Sequence, residues 1–320
     1  LGLLAYDLAG DRAGAVLGTA LAIKMSAYIL VAPVAAAFAD KFPRRTMLVT
    51  LDLVRALVAI TLPFVTQIWE IYILIFILQA ASAAFTPTFQ ATIPDILPDE
   101  REYTRALSLS RLAYDLESVI SPMLAAALLT VMSFHNLFAG TAVGFLASAA
   151  LVVSVTLPKM KALTVKRSIY DKTTRGMRIF LKTPRLRGLL ALNMAVAAAS
   201  AMVIVNTVVL VQADFGFSQR STAIALAFFG VGSMVSALVL PRLLDNMSDR
   251  MPMLAGTALL VIGLGSGIFL KDYITLVVLW ALLGVGYSLS QTPGGRLLRR
   301  SSTAEDRPAL FAAQFALSHS

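Results

Sequence analysis

Runs of about twenty apolar residues recur along the whole chain, each ended by a short polar stretch. A helix rises ~1.5 Å per residue, so a run of that length crosses the ~30 Å hydrocarbon core of a bilayer. The pattern predicts spans at 14–39, 47–66, 70–93, 104–132, 136–157, 187–213, 221–241, 252–270 and 274–295. A partial span occupies 1–9, and an eleventh begins near 308. Pro33, Pro63, Pro87, Pro122 and Pro293 fall inside these runs. In a membrane bundle, neighbouring helices re-satisfy the backbone groups that proline frees. The chain starts at Leu1 in mid-hydrophobic sequence and stops at Ser320 inside another apolar run, so a fragment cut short at both ends is expected. The start has no basic n-region of a signal peptide.

Composition supports an all-α membrane protein. Hydrophobic residues make up 58% of 320, charged residues 14%, and mean hydropathy is +0.79. A soluble domain runs near a quarter charged. Cysteine is absent, which excludes disulfides, thiolate metal sites and cysteine catalysis. A net charge of +9 could suggest nucleic acid, so the placement of the cations decides.

With the 40–46 loop on side A, alternating spans put 94–111, 158–187, 242–251 and 296–307 there too. Side B holds only Arg12, Arg220 and Lys271, while Lys24 and Arg55 lie within spans. Every other Lys and Arg of the 27 sits on side A or its span ends, which makes side A cytoplasmic. The positive charge is therefore a topology signal, and no nucleic-acid partner is expected. The long 158–187 loop carries a single acid, Asp171, among its cations. Its spacing fits either a helix on the anionic inner leaflet or a solvated linker.

The chain repeats itself across that loop. Asp40 answers to Asp245 at an offset of 205, and Thr86-Pro87 to Thr292-Pro293 at 206. Asp99-Glu100-Arg101 answers to Glu305-Asp306-Arg307, again at 206. Three matches in register imply a first half at 1–157, a linker at 158–187 and a second half at 188–320. Parallel repeats facing a central cavity are a transporter architecture.

Ala36 to Arg45 reads A-A-F-A-D-K-F-P-R-R: an acid at a helix end, a tight turn, then cations. It resembles the loop signature of the major facilitator superfamily, G-x-x-x-D-(R/K)-x-G-R-(R/K), with Asp40, Lys41, Arg44 and Arg45 matching. Ala36 and Pro43 replace glycines. The second-half copy, P-R-L-L-D-N-M-S-D-R, keeps Asp245 and Arg250. The resemblance implies two pseudo-repeated six-helix halves, with these residues as a conformational gate. E-S-V-I-S-P-M-L-A-A (Glu117 to Ala126) is similar to the antiporter signature of the same superfamily. Phe85 to Glu100 resembles its macrolide and enterobactin exporter branch.

Ionisable residues inside spans are expensive and commonly functional. Asp115 and Glu117 lie ten and twelve residues past Arg105, about 15–18 Å along a helix and near mid-bilayer. About 200° separates them around the helix. Arg111 and Asp115, four apart, can pair. The proton-coupling candidates are Glu117, Asp115 and Arg111, against the alternative of a structural ion pair beside a neutral buried acid. Lys24 could face the cavity as an anion site, pair with Asp7, or snorkel outward. Asp52 and Arg55 read as a structural pair. Asn193, Asn206, Gln79, Gln90 and Gln291 are the remaining polar cavity candidates, with Tyr28 and Tyr114 suited to an amphipathic substrate.

Gly140-x-x-x-Gly144 and Gly263-x-x-x-Gly267 read as helix-packing faces. No phosphate loop is present, and His135 and His319 have no metal spacing. The expectation is a monomeric multi-pass protein of the bacterial inner membrane, with a lipid bilayer, protons and a small molecule as partners. It would export an amphipathic drug or siderophore-like molecule by alternating access. No cofactor, metal or enzymatic activity is expected. Uptake is the alternative direction, and a non-transport membrane protein or channel the remaining class.

Overall fold

The computed structural model describes residue 4 and residues 8–38, 42–157 and 168–319. The helices are α1 (Ala13–Phe38), α2 (Arg44–Thr61), α3 (Ile68–Ile96), α4 (Glu100–Leu128), α5 (Phe134–Ser154), α6 (Ile169–Lys182) and α7 (Pro184–Val208). They continue with α8 (Gln219–Asn246), α9 (Arg250–Ser266), α10 (Tyr273–Gln291), α11 (Gly294–Arg300) and α12 (Arg307–Leu317). No strand occurs among the described residues. Each full-length predicted span overlaps one of these helices, and the partial span at 1–9 lies largely outside the described residues. Among the described residues, 8 helical stretches are long and apolar enough to cross a membrane. α4 falls outside that set because Glu100, Arg101, Glu102, Arg105, Arg111, Asp115 and Glu117 line its first two-thirds. Large apolar side chains such as Leu30, Leu57, Phe64, Leu151 and Ile262 point outward, as lipid contact demands.

Proline acts by context. Pro63 lies in a 3-10 turn that closes α2, and Pro293 separates α10 from α11 just before Gly294 and Gly295. Its repeat mate Pro87 stays inside an unbroken α3. There, Ser82, Thr88 and Thr92 hydroxyls donate to carbonyls one turn back, the accommodation open to Ser and Thr in apolar surroundings.

The chain forms two compact units that cut across sequence order. Unit 1 comprises Leu1–Ile96, Ala125–Thr183 and Ser302–Ser320, and unit 2 comprises Leu97–Leu124 and Pro184–Ser301. In unit 1, Val16, Ala20, Val58, Leu62, Ile71 and Ile75 form one apolar core. Ala32, Ala83 and Ala312 form another where α1, α3 and α12 meet. Helix α6 packs on α12 and α1, with Phe180 fully buried. A Cβ at Gly176 would fall 1.9 Å from the Ala309 carbonyl oxygen, so only glycine allows that approach. The second part of the basic linker is thus a helix whose apolar stripe is covered by protein; residues 158–167 lie outside the described residues.

In unit 2, Val196, Val203, Ala225, Leu260, Leu276, Trp280 and Leu283 fill the core. Trp280 Nε1 donates to Thr207 Oγ1 at 2.6 Å, so its polar edge is satisfied. Helices α8 and α10 approach through Gly232 and Gly284, where a Cβ would meet the Ala281 and Phe229 carbonyl oxygens at 1.9 Å. The packing glycines differ from those expected. Gly140 and Gly144 have nothing within 4 Å of a Cβ, whereas Gly263 does pack, on Leu283. Spacing alone cannot say which face of a helix meets a neighbour.

Candidate functional site

Charge clusters mark the helix ends that the sequence assigns to side A. In unit 1, Arg44 opens α2 and Asp95 lies in the last turn of α3; Arg44 Nη1 donates to Asp95 Oδ2 at 2.5 Å. Arg307, the first residue of α12, donates to the other oxygen. Arg45 donates to the Val155 carbonyl at 2.7 Å. Asp40 and Lys41 lie outside the described residues. Beside this corner, Arg175 of α6 grips Asp306, the N-cap of α12, through Nε–Oδ1 and Nη2–Oδ2 at 2.5 and 2.9 Å. The hydrogen-bonded carboxylate holds the Arg175 charge more firmly than usual.

Unit 2 builds its corner from Asp249, Arg300, Arg296 and Glu100. Arg300 Nη1 donates to Asp249 Oδ2 at 2.7 Å, and Glu100 Oε1 lies 3.0 Å from Arg296 and 2.5 Å from Arg300. Arg296 Nε stands 2.9 Å from Asp249 Oδ1 but out of line for a hydrogen bond, so that contact is charge pairing alone. Arg296 Nη1 completes its set on Thr104 Oγ1 at 2.9 Å. Burial raises the Asp249 carboxyl above the usual carboxylate range, partly offset by Arg296 and Arg300. Asp245 pairs loosely with Arg101 at 3.4 Å, and Arg250 makes no ion pair among the described residues.

Within the membrane, unit 2 places Arg111 and Asp115 together, as their spacing predicts. Arg111 Nη2 donates to Asp115 Oδ1 at 2.9 Å, and Ser233 of α8 donates to Oδ2 at 2.5 Å. Asp115 is buried, whereas Glu117, on the other side of α4, is exposed. The Arg111 guanidinium also lies 4.1 Å from the Tyr287 ring centre. Asn193 is buried with Nδ2 unpartnered among the described residues, Asn206 donates back to Met202 of its own helix, and Gln291 is half-buried in the last turn of α10.

In unit 1 the structure joins Lys24 and Gln79 through Tyr28. Lys24 Nζ lies 5.5 Å from the Tyr28 ring centre, and Tyr28 Oη donates to Gln79 Oε1 at 3.0 Å. Phe315 and His319 pack on the same ring at 4.8 and 4.9 Å. Asp7, the suggested partner of Lys24, lies outside the described residues. Asp52 and Arg55 do pair, with the guanidinium 4.0 Å from Phe85 and 4.6 Å from Phe145. Gln90 is half-buried on α3.

Sequence reasoning missed Asp95, Asp249 and His319. The first two stand at the repeat offset from residues already flagged as cytoplasmic cations: Arg44 to Asp249, and Asp95 to Arg300, each 205 apart. A search of the repeat for charges of opposite sign would have found them. His319 carried no comparable signal.

The family model described as Major Facilitator Superfamily matches residues 2–210 and 189–319. The chain belongs to this family. Among similar curated proteins is the uncharacterized MFS-type transporter YfiS of Bacillus subtilis (strain 168), 24% identical over 276 residues, which are 83% of this chain and 65% of that protein. Macrolide efflux protein A of Enterococcus faecalis is 25% identical over 154 residues, 45% of this chain and 47% of that protein. These matches therefore span less than two thirds of either relative. Among solved structures, the E. coli fucose:proton symporter FucP aligns over 99% of this chain and 83% of its own, with a TM-score of 0.75 and 11% identity. The proton:xylose symporter XylE aligns over 98% and 78%, with a TM-score of 0.75 and 12% identity. At such identity these two carry the fold.

Proposed function

We propose that this superfamily member is a secondary active transporter of the bacterial plasma membrane, exporting an amphipathic small molecule in exchange for protons by alternating access. The observation that carries the reading is the buried Arg111–Asp115–Ser233 cluster on α4 and α8. A carboxylate buried there stays ionised only while a cation and donors compensate it. Its cation has a second resting place, because Arg111 already lies over Tyr287. Movement of Arg111 fully onto that ring would withdraw its charge from Asp115, which keeps Ser233 among its other contacts. Asp115 is thus the favoured proton carrier of the three candidates, and Glu117, facing outward, is secondary. The likeness to macrolide efflux proteins supports the outward direction. Charge placement supports side A as cytoplasmic, with the Arg44–Asp95–Arg307 corner as the gate.

The test is flux in proteoliposomes under an imposed pH gradient, with a panel of amphipathic dyes. Asp115→Asn should abolish gradient-driven movement while leaving equilibrium exchange, and Glu117→Gln should retain both. Full gradient-driven flux in Asp115→Asn would remove Asp115 from the mechanism. Absence of flux for every dye in the wild type would count against export.

A further inference from the structure

Lys24 lies eleven residues into α1 and fourteen before its end, about 16–21 Å from either terminus of the helix and so near mid-bilayer. An ammonium at that depth is expensive unless a counter-charge meets it. Among the described residues it has no acid partner; the contact recorded is the Tyr28 ring at 5.5 Å. A cation–π contact at that distance is a weak substitute for an anion.

Its surroundings have a definite chemistry. Gln79 Oε1 accepts from Tyr28 Oη, which fixes the Tyr28 ring and leaves the Gln79 amide N–H₂ as a further donor. Phe315 tilts against that ring and His319, two residues past the end of α12, meets it edge-on, so three ring systems gather around one point. His319 Nδ1 sits 2.7 Å from the Phe315 carbonyl oxygen, which assigns the ring proton to Nδ1 and leaves Nε2 without a bond among the described residues. The cluster holds one cation, an amide donor and rings. It holds no carboxylate among the described residues.

We infer that Lys24, Tyr28, Gln79, Phe315 and His319 form a binding site for an amphipathic anion, whose acidic group neutralises Lys24 while its aromatic body stacks against the Tyr28–Phe315–His319 rings. This deepens the transport reading and rests on it for the role of the site, since it names the substrate class. The proton and the substrate then occupy different residues, Asp115 for the one and Lys24 for the other.

The test is equilibrium binding to the chain in lipid nanodiscs with two radiolabelled probes of matched shape, 2-naphthoate and 2-naphthylmethylammonium. The anion should bind saturably and the cation should not. Lys24→Met should weaken naphthoate binding by about tenfold or more, the loss expected when one partner of a desolvated charge pair is removed. Lys24→Arg should stay within about threefold, because the charge is kept. Unchanged naphthoate affinity in a folded Lys24→Met protein overturns the inference. Should that variant not fold, equal binding of the two probes to the wild type overturns it instead. The two readings fail separately: absent anion binding beside intact proton-driven flux defeats this inference alone. Anion binding without any flux defeats the transport reading alone.

Discussion

Arg44 and Asp95 stand 51 residues apart and pair at 2.5 Å, with the cation on the earlier helix. Asp249 and Arg300, also 51 apart and 205 further along, pair at 2.7 Å with the charges exchanged. The exchange alters the standing of each pair against the helix dipoles. Asp249 stands at the N-terminal boundary of α9, without bonding its amides, and Arg300 lies in the last turn of α11, where the helix dipoles favour both charges. Arg44 opens α2, Arg307 opens α12 and Asp95 closes α3, so all three oppose their own dipoles. The first corner is held by pairing alone.

That corner is therefore sensitive to loss of its acid. Asp95→Asn leaves two mostly buried guanidinium groups unpaired and should lower stability by about 2–4 kcal/mol. Arg44→Asp should cost a similar amount. The double exchange Arg44→Asp with Asp95→Arg reproduces the polarity of the second corner and should recover part of the loss, short of full because Arg307 then faces a like charge. Thermal melting of the four proteins in detergent measures the coupling.

The α8–α10 crossing should tolerate nothing larger than glycine. Gly284→Ala places a methyl group where the Phe229 carbonyl oxygen already is, and backbone cannot yield as a side chain can. Overpacking costs about 1–3 kcal/mol, and a clash with backbone belongs at the upper end of that range, so a folded yield near that of wild type would contradict the observed approach. Gly140→Ala is the matched control and should be neutral, because a Cβ there meets open space.

Two helix starts should loosen in acid. Asp99 accepts from the Glu102 and Arg101 amides at the head of α4, and Asp272 from the Thr275 amide at the head of α10. Those bonds lower both carboxyl pKa values below the ordinary 3.8. A lowered folded-state value gives stabilisation that is complete above the ordinary pKa and lost as pH falls through the lowered one. Hydrogen exchange at Glu102 and Thr275 should accelerate below that range. Asp272→Asn should keep the cap and lose the acid sensitivity, whereas Asp272→Ala should loosen α10 at neutral pH as well.

The buried Asp52–Arg55 pair should behave as structure. Arg55→Leu strands a fully buried carboxylate and should destabilise by about 3–5 kcal/mol. Adding Asp52→Leu should restore most of that, with pH-driven flux unaffected in the double variant.

What the sequence made legible follows from what acts locally. Span positions depend on runs of apolar residues, and α1 to α5 and α7 to α10 fall where those runs lie, while α6 belongs to the basic linker. Arg111 and Asp115 pair because one helical turn separates them, which spacing alone reveals. The Asp115–Ser233 bond, the Arg111–Tyr287 contact and the placement of His319 beside Tyr28 join residues far apart in the chain, and no periodicity encodes such meetings. The same holds for glycine: Gly232 and Gly284 carry no G-x-x-x-G spacing, yet they set the α8–α10 crossing, while the spaced pair Gly140 and Gly144 faces outward.

The repeat offset sets helix ends of the first half beside matching positions in the second, and such a chain faces a hazard while it is being made. If α2 were to take the second copy's partner, Arg44 would meet Arg300, and Asp95 would meet Asp249. Both encounters set like charges together, and each costs enough to reject the wrong match. The exchanged polarity thus works against mismatched pairing of these helix ends.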